Sequence, residues 1–330
     1  MSVSRPPARS LAWAKLAPIL VAIIASSTSL AQTFPDRNIR IVAPAAAGGA
    51  LDLISRILAQ KTSEIYNRSV IVDNKPGANM MIGMDSVAKS EPDGYNILVV
   101  SSSAITVNPY VFQSMPLDPF RDLAPVLSTT ITPYALLINP EIPARTVPEF
   151  IAWLKANPGK MNHASNSAAT MLVSELFKSQ AGVDYVDINY RGASQAINDT
   201  IGGHTQFCFV DLGSASVAIR GKTLIPLAIT TPRKFDLYPN IPVFVDQGLP
   251  EFSVMGRTVL AAPAKTPPEV IARLNEGFKK ALSSPDVIDR LQGMGQIVGG
   301  GTPDETSRIL HAEAKQWEVL VKERNIHFEP

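Results

Sequence analysis

Four loops carry most of the polar chemistry of this chain. Arg40 to Asp52 (RIVAPAAAGGALD) reads as a strand that breaks at Pro44, crosses Ala45, Ala46, Ala47, Gly48 and Gly49, and opens a helix. Leu51, Ile54, Ile57, Leu58 and Lys61 follow the 3.6-residue period, so the first free N–H groups of that helix face the loop, where its dipole favours an anion. Gly48 and Gly49 let the backbone approach a ligand with no side chain in the way. Ser101, Ser102 and Ser103 offer three hydroxyls after a strand ending at Val100. Ser165, Asn166, Ser167 and Thr170 precede the helix that contains Glu175, and Asp211 to Ser214 follow a strand through Cys208. In open sheets ligands bind outside the carboxyl ends of strands, which is where all four loops fall.

Each loop also has a purely structural reading. Asp52 sits in a first helical turn, where a carboxylate suits the dipole with or without a ligand. The hydroxyls at 101–103 and 165–170 suit helix caps, which draw on the same backbone donors as a ligand would. Asp211 repels a carboxylate and is better matched to an amino or hydroxyl group, or to pairing across a cleft. Arg191 is the most obvious cation for a carboxylate, although a surface arginine is the plainer reading.

Catalytic motifs are missing. There is no G-x-S-x-G and no H-E-x-x-H. Arg220-Gly221-Lys222-Thr223 imitates the end of a phosphate loop, but Ser216 stands where the first glycine belongs and a strand is expected to follow. His163, His204, His311 and His327 lack metal-site spacing, so neither a metal nor a cofactor is implied. A hydrolase assembled from scattered residues would have to use His163 as its base.

The elements that position these loops alternate. Short β-branched runs at 40–43, 70–72, 97–100, 134–138, 187–190, 207–210, 224–230 and 258–261 are separated by helical periods at 50–64, 79–89, 147–156, 170–181, 193–202, 268–282 and 303–323. That order is the signature of an α/β fold. Prolines fall at nearly every junction, as at Asp118-Pro119 and Thr266-Pro267-Pro268.

Residues 1–31 carry Arg5, Arg9 and Lys15, then an apolar stretch from Leu16 to Ala25, then Ser29-Leu30-Ala31, the pattern of a cleavable secretory signal. The apolar stretch is about half of the roughly 20 residues a membrane span needs. Without the leader the chain holds 27 basic and 29 acidic residues, a net charge of −2, which argues against nucleic acid as a partner. Cys208 is the single cysteine, so no intramolecular disulfide is expected.

The order of motifs resembles the periplasmic solute receptors of tripartite tricarboxylate transporters, the Bug-type receptors. The matching stretches include FPDRNIRIVAPAAAGGALD from Phe34, VDNKPGAN from Val72, EPDGYNIL from Glu91, DPFRDLAPV from Asp118, TVPEFIAWLKANPGKMNHAS from Thr146, YRGASQAINDTIGG from Tyr190 and LYPNIPVFVDQGLPEF from Leu237. The resemblance implies a periplasmic binding protein-like fold, a two-lobed Venus flytrap of two α/β domains joined by two crossover strands. Lobe 1 is then expected over 32–131 plus 255–330 and lobe 2 over 132–254, with crossings near Ala124 to Ile138 and Phe252 to Ala262. It further implies a monomeric periplasmic receptor that encloses a small carboxylate (a di- or tricarboxylate, an aromatic acid or an acidic amino acid) and delivers it to integral-membrane transporter subunits. In such receptors the four loops hold a ligand carboxylate by backbone N–H groups, hydroxyls and bridging water, which points to Ala45 to Gly49, Asp52, Ser101 to Ser103, Ser165 to Ser167, Thr170 and Asp211, and less directly to Arg191 and Ser214. A sensory receptor that presents closed lobes to a membrane signalling protein is the alternative. Departures from the family pattern fall at Ala45, where an aromatic is common, at Met80 and Met81, and in the shortened loop from Ser165 to Thr170.

Overall fold

The computed structural model describes residues 1–2, 34–190, 192–324 and 326. Arg191, and the expected leader from residue 3 onward, lie outside the described residues.

Among the described residues ten strands and twelve α-helices alternate. The first part runs β1 (Ile39–Ala43), α1 (Ala50–Tyr66), β2 (Val70–Asn74), α2 (Met81–Ala88), β3 (Asn96–Ser101), α3 (Ser102–Thr106), α4 (Asn108–Val111) and α5 (Pro119–Asp122). A 16-residue strand, β4 (Leu123–Ile138), leads into α6 (Val147–Ala156), β5 (Asn162–Ser165), α7 (Ala168–Ala181), β6 (Val186–Asn189), α8 (Ala193–Ile201), β7 (Phe207–Asp211), α9 (Leu212–Gly221) and β8 (Ile225–Ile229). The chain returns through β9 (Met255–Pro263) to α10 (Pro268–Leu282), α11 (Pro285–Gly293), β10 (Ile297–Gly300) and α12 (Pro303–Arg324).

The strands form one continuous path, β2-β1-β3-β9-β4-β7-β5-β6, with β10 and β8 also paired to β4. β4 joins its two halves. From Leu123 to Pro133 it pairs antiparallel with β9, and from Tyr134 to Ile138 with β7. The exchange of partners falls at Pro133, which has no N–H to give to a ladder. Within each half the βαβ units are parallel: β1 with β2 and β3, β5 with β6 and β7. Parallel pairing needs crossover helices on the sheet faces, which accounts for the buried, β-branched runs of β1 and β3.

Four apolar clusters cover the faces. Ile41, Ile54, Leu58 and Phe278 belong to one beside the first half, and Leu98, Ile105 and Leu310 to another. The second half has a phenylalanine-rich core of Phe150, Phe177, Phe207, Phe209, Phe244 and Phe252, and a smaller cluster around Ala196, Cys208 and Leu224. Trp317, Leu320 and Val321 of α12 pack into the phenylalanine-rich core, so the last helix spans both halves.

The expected strands at 70–72, 97–100 and 207–210 lie within β2, β3 and β7. The helix expected over 79–89 begins only at Met81, because Ala78, Asn79 and Met80 all have positive φ, a conformation that cannot propagate a right-handed helix. β5, β10, α9 and α11 have no counterpart in the sequence reading.

Candidate functional site

The loops converge at the junction of the two halves, where β4 and β9 run side by side. A cleft of about 490 Å³ is walled on one side by Ala50, Leu51 and Ile54 of α1 with Ser101. On the other side stand Asn166, Ser167, Thr170, Asp211 and Ser214, and its floor includes Tyr134, Gly256 and Arg257. A second compartment of about 300 Å³ lies between α3, α7 and α12 and shares Ser101, Tyr134, Gly256 and Arg257 with the first. Ser102 and Ser103 line this rear space.

The donors available at the cleft follow from how each helix starts. α1 has Gly49 as its N-cap and no side-chain cap, so its first N–H groups keep their capacity for a ligand. α7 is closed by a capping box: Thr170 N–H donates to Ser167 Oγ at 3.2 Å, and Thr170 Oγ1 accepts from the N–H groups of Asn166 and Ser167 at 3.0 and 3.1 Å. α9 is capped by Asp211, whose carboxylate accepts from Ser214 N–H at 2.9 Å. Ser101 Oγ and Ser103 Oγ share a hydrogen bond of 2.9 Å.

Several expected contacts are placed elsewhere. Asp52 is 2% exposed and its carboxylate is fully occupied, accepting from Gly48 N–H at 2.8 Å, Arg56 Nε at 3.0 Å and Asn74 Nδ2 at 2.9 Å. The Arg56 guanidinium, helped by the Gly48 and Asn74 donors, holds its carboxyl down at about 2 against the cost of burial. Asp52 therefore braces the loop from behind and does not face the cleft. Ser165 is fully buried beneath its loop. Ala45 to Gly49 do not line the cleft; Ala45 packs on the neighbouring core and Ala46 to Gly49 are exposed at its rim, leaving the wall to the first turns of α1. Gly48 is required by its φ of +82°, whereas Gly49 has an ordinary extended backbone and only the Ala46 carbonyl, 3.2 Å from where a Cβ would stand.

Arg257, Tyr134 and Gln296 also line the cleft, and no motif in the sequence announces them. Arg257 is the lone charge in the apolar run Phe252 to Pro263, and that isolation was its only signal. Its Nε donates to Glu313 Oε1 at 2.8 Å. Tyr134 is 7% exposed and lies so close to Gly256 that a Cβ there would meet its hydroxyl at 2.6 Å. Gln296 Oε1 accepts from Thr132 Oγ1 at 2.6 Å.

His163 faces away from this chemistry. It is fully buried, its Nε2 accepts from Phe209 N–H at 3.0 Å, and its Nδ1 faces Asp187 Oδ1 at 3.2 Å. With Nε2 an acceptor the ring proton sits on Nδ1, which leaves no nitrogen free to activate a hydroxyl. Among the described residues no group of three or more His, Cys, Asp or Glu could hold a metal ion, and no helix is long and apolar enough to cross a membrane.

An α/β molecule with two sheet halves, two shared strands and a cleft built from helix starts has the periplasmic binding protein fold. Comparison with known proteins agrees. The model of the family described as the tripartite tricarboxylate transporter family receptor matches residues 54–326. Protein BugT of Bordetella pertussis is 32% identical over 308 residues, covering 92% of this chain and 94% of the relative. A solved structure described as a periplasmic transporter superposes with a TM-score of 0.76 at 32% identity, over 90% of this chain and 100% of its own. Another, the R. palustris protein Rpa4515 with adipate, gives 0.76 at 27% identity over 89% and 99%. The chain belongs to the tripartite tricarboxylate transporter receptor family, whose members bind solutes for transport and are not enzymes.

Proposed function

We propose that this receptor captures a small carboxylate in the cleft between its two sheet halves and presents it, as a monomer, to integral-membrane transporter subunits. Residues 32–131 with 255–330 act as one lobe and 132–254 as the other, hinged where β4 and β9 cross. Residues 1–31 direct export to the periplasm and are removed.

The observation that carries this reading is the convergence of the uncapped start of α1 with the hydroxyl-bearing loops at Ser101 and at Asn166 to Thr170. The free N–H groups of α1, the Asn166 amide and the hydroxyls of Ser101 and Ser167 offer donors from both lobes to one carboxylate, whose charge is met by the α1 dipole with Arg257 in the floor of the cleft. A ligand that touches both lobes favours the closed form by its differential affinity. The relative solved with adipate supports a dicarboxylate as the first ligand to test.

A thermal-unfolding screen of the mature protein against adipate, citrate, benzoate and aspartate tests the proposal. A true ligand at 100 times its dissociation constant adds about 2.7 kcal/mol, a rise of several degrees for a chain of this size. If none of the four classes raises the transition, the carboxylate assignment fails.

A further inference from the structure

Arg257 brings the one charged side chain of β9 to the boundary between the two compartments. The pair it makes with Glu313 is well shielded, the side chains being 14% and 18% exposed. That pair uses the guanidinium's Nε alone; its two terminal nitrogens have no protein partner among the described residues. Four N–H donors thus remain unspent, in a plane suited to a bidentate carboxylate. Leaving such a group without a partner in a shielded site is costly, and the rear compartment is more enclosed than either the front cleft or the open groove beside β10 that Arg257 also lines. Its remaining lining combines the apolar side chains of Val107, Leu172, Val173 and Trp317 with the hydroxyls of Ser102, Ser103 and Ser253. Its volume of about 300 Å³ exceeds what a lone carboxylate needs, and it adjoins the front cleft, with Ser101, Tyr134, Gly256 and Arg257 lining both.

We propose that the rear compartment receives the apolar spacer and second carboxylate of a dicarboxylate, with Arg257 as the second anchor and Glu313 as its positioning residue. This rests on the receptor reading, in which the first carboxylate sits at the start of α1 and the Asn166–Thr170 loop. Glu313 holds the Nε edge and sets the guanidinium plane; the terminal nitrogens meet the ligand. The apolar part of the lining suits an aliphatic or aromatic spacer.

Titration calorimetry with adipate and hexanoate, equal in length and different by one carboxylate, tests the assignment. In the unmodified protein adipate should bind more tightly by at least about tenfold, the range of a charge-assisted pair. In Arg257→Gln the two should bind within about threefold of each other. Because that change leaves the shielded Glu313 without its cation and with only the Ser102 hydroxyl beside it, Arg257→Gln/Glu313→Gln is measured in parallel, its ligand-free melting temperature reporting the fold. Loss of the adipate preference in the double variant supports the anchor. An adipate preference that survives in either variant overturns it. If the unmodified protein binds neither acid while citrate, benzoate or aspartate raises its melting temperature, the anchor assignment fails and the receptor reading stands; if none of them binds, the receptor reading itself fails.

Discussion

Asp52 shows how one carboxylate can brace a loop beside the proposed site without facing the cleft. It joins the rim residue Gly48, the first turns of α1 and Asn74 at the end of β2 through three hydrogen bonds, and Asn74 also donates to the Ala45 carbonyl at 3.1 Å. The loop is thereby fixed before any ligand arrives, which lowers the ordering cost of binding. Asp52→Ala leaves these donors without their acceptor and should cost about 1–3 kcal/mol, read as a fall in the denaturant midpoint. The pH response follows from its depressed carboxyl. The folded value is about 2 against 3.8 ordinarily, so the unfolded chain binds the proton more readily. The stabilisation is complete above pH 4 and is lost as the pH falls through 2. Relative to the natural protein, Asp52→Asn should therefore show a flatter loss of stability across that window. Equal acid sensitivity of the two would remove Asp52 from this role. Gly48 makes a separate claim: at a φ of +82°, Gly48→Ala should destabilise by about 1 kcal/mol or more, while Gly49→Ala should be nearly silent.

α9 illustrates which elements the sequence discloses and which it hides. Its residues, LGSASVAIRG, are poor in strong helix formers, and the helix persists because Asp211 caps it and Leu212, Ala215 and Ala218 are buried. Asp211→Asn keeps a good cap and should preserve the melting temperature, whereas Asp211→Ala should lower stability by about 1 kcal/mol. Removing the charge from the cleft wall should also strengthen binding of an anion to Asp211→Asn; unchanged or weaker binding there would mean that the carboxylate serves the ligand directly. β5 was hidden for a related reason, since Asn162–Ser165 is four residues long and its buried face includes a histidine satisfied only in three dimensions. β10 holds two glycines and pairs solely with the far-off β4. In contrast β1, β3 and β7 were legible as β-branched or aromatic runs whose burial the sheet merely confirms. Three loops of the site were legible because they follow such strands, and the loop at Ser165 to Thr170 because it precedes the helical period of α7. Arg257 was not, because its meaning depends on Glu313, 56 residues later in the chain.

At the scale of the whole molecule, the two sheet halves meet backbone to backbone beside the cleft. Gly213, in the first turn of α9, lies against Met294 and Gly295 of the segment before β10, and a Cβ on Gly213 would stand 2.5 Å from the Met294 carbonyl oxygen. A Cβ on Gly295 would come within 2.3 Å of the Gly213 Cα. These residues belong to the two proposed lobes, so their approach is a stop that a side chain would hold apart. The proposed hinge strands β4 and β9 are not involved in the contact, and α12 ties the halves together by a different route, through Arg324 Nε donating to Glu175 Oε2 at 3.0 Å. Gly213→Ala should therefore act on closure rather than on folding. Alanine is the better helix former by about 1 kcal/mol, so the ligand-free melting temperature should hold or rise. Closing against the new methyl group should cost about 1–3 kcal/mol, a 5- to 150-fold loss of ligand affinity. Small-angle scattering with saturating adipate should then show a larger radius of gyration for the variant than for the unmodified protein. If Gly213→Ala closes as fully and binds as tightly, the lobes meet somewhere other than this glycine pair, and closure is limited by the ligand-lined walls of the cleft instead.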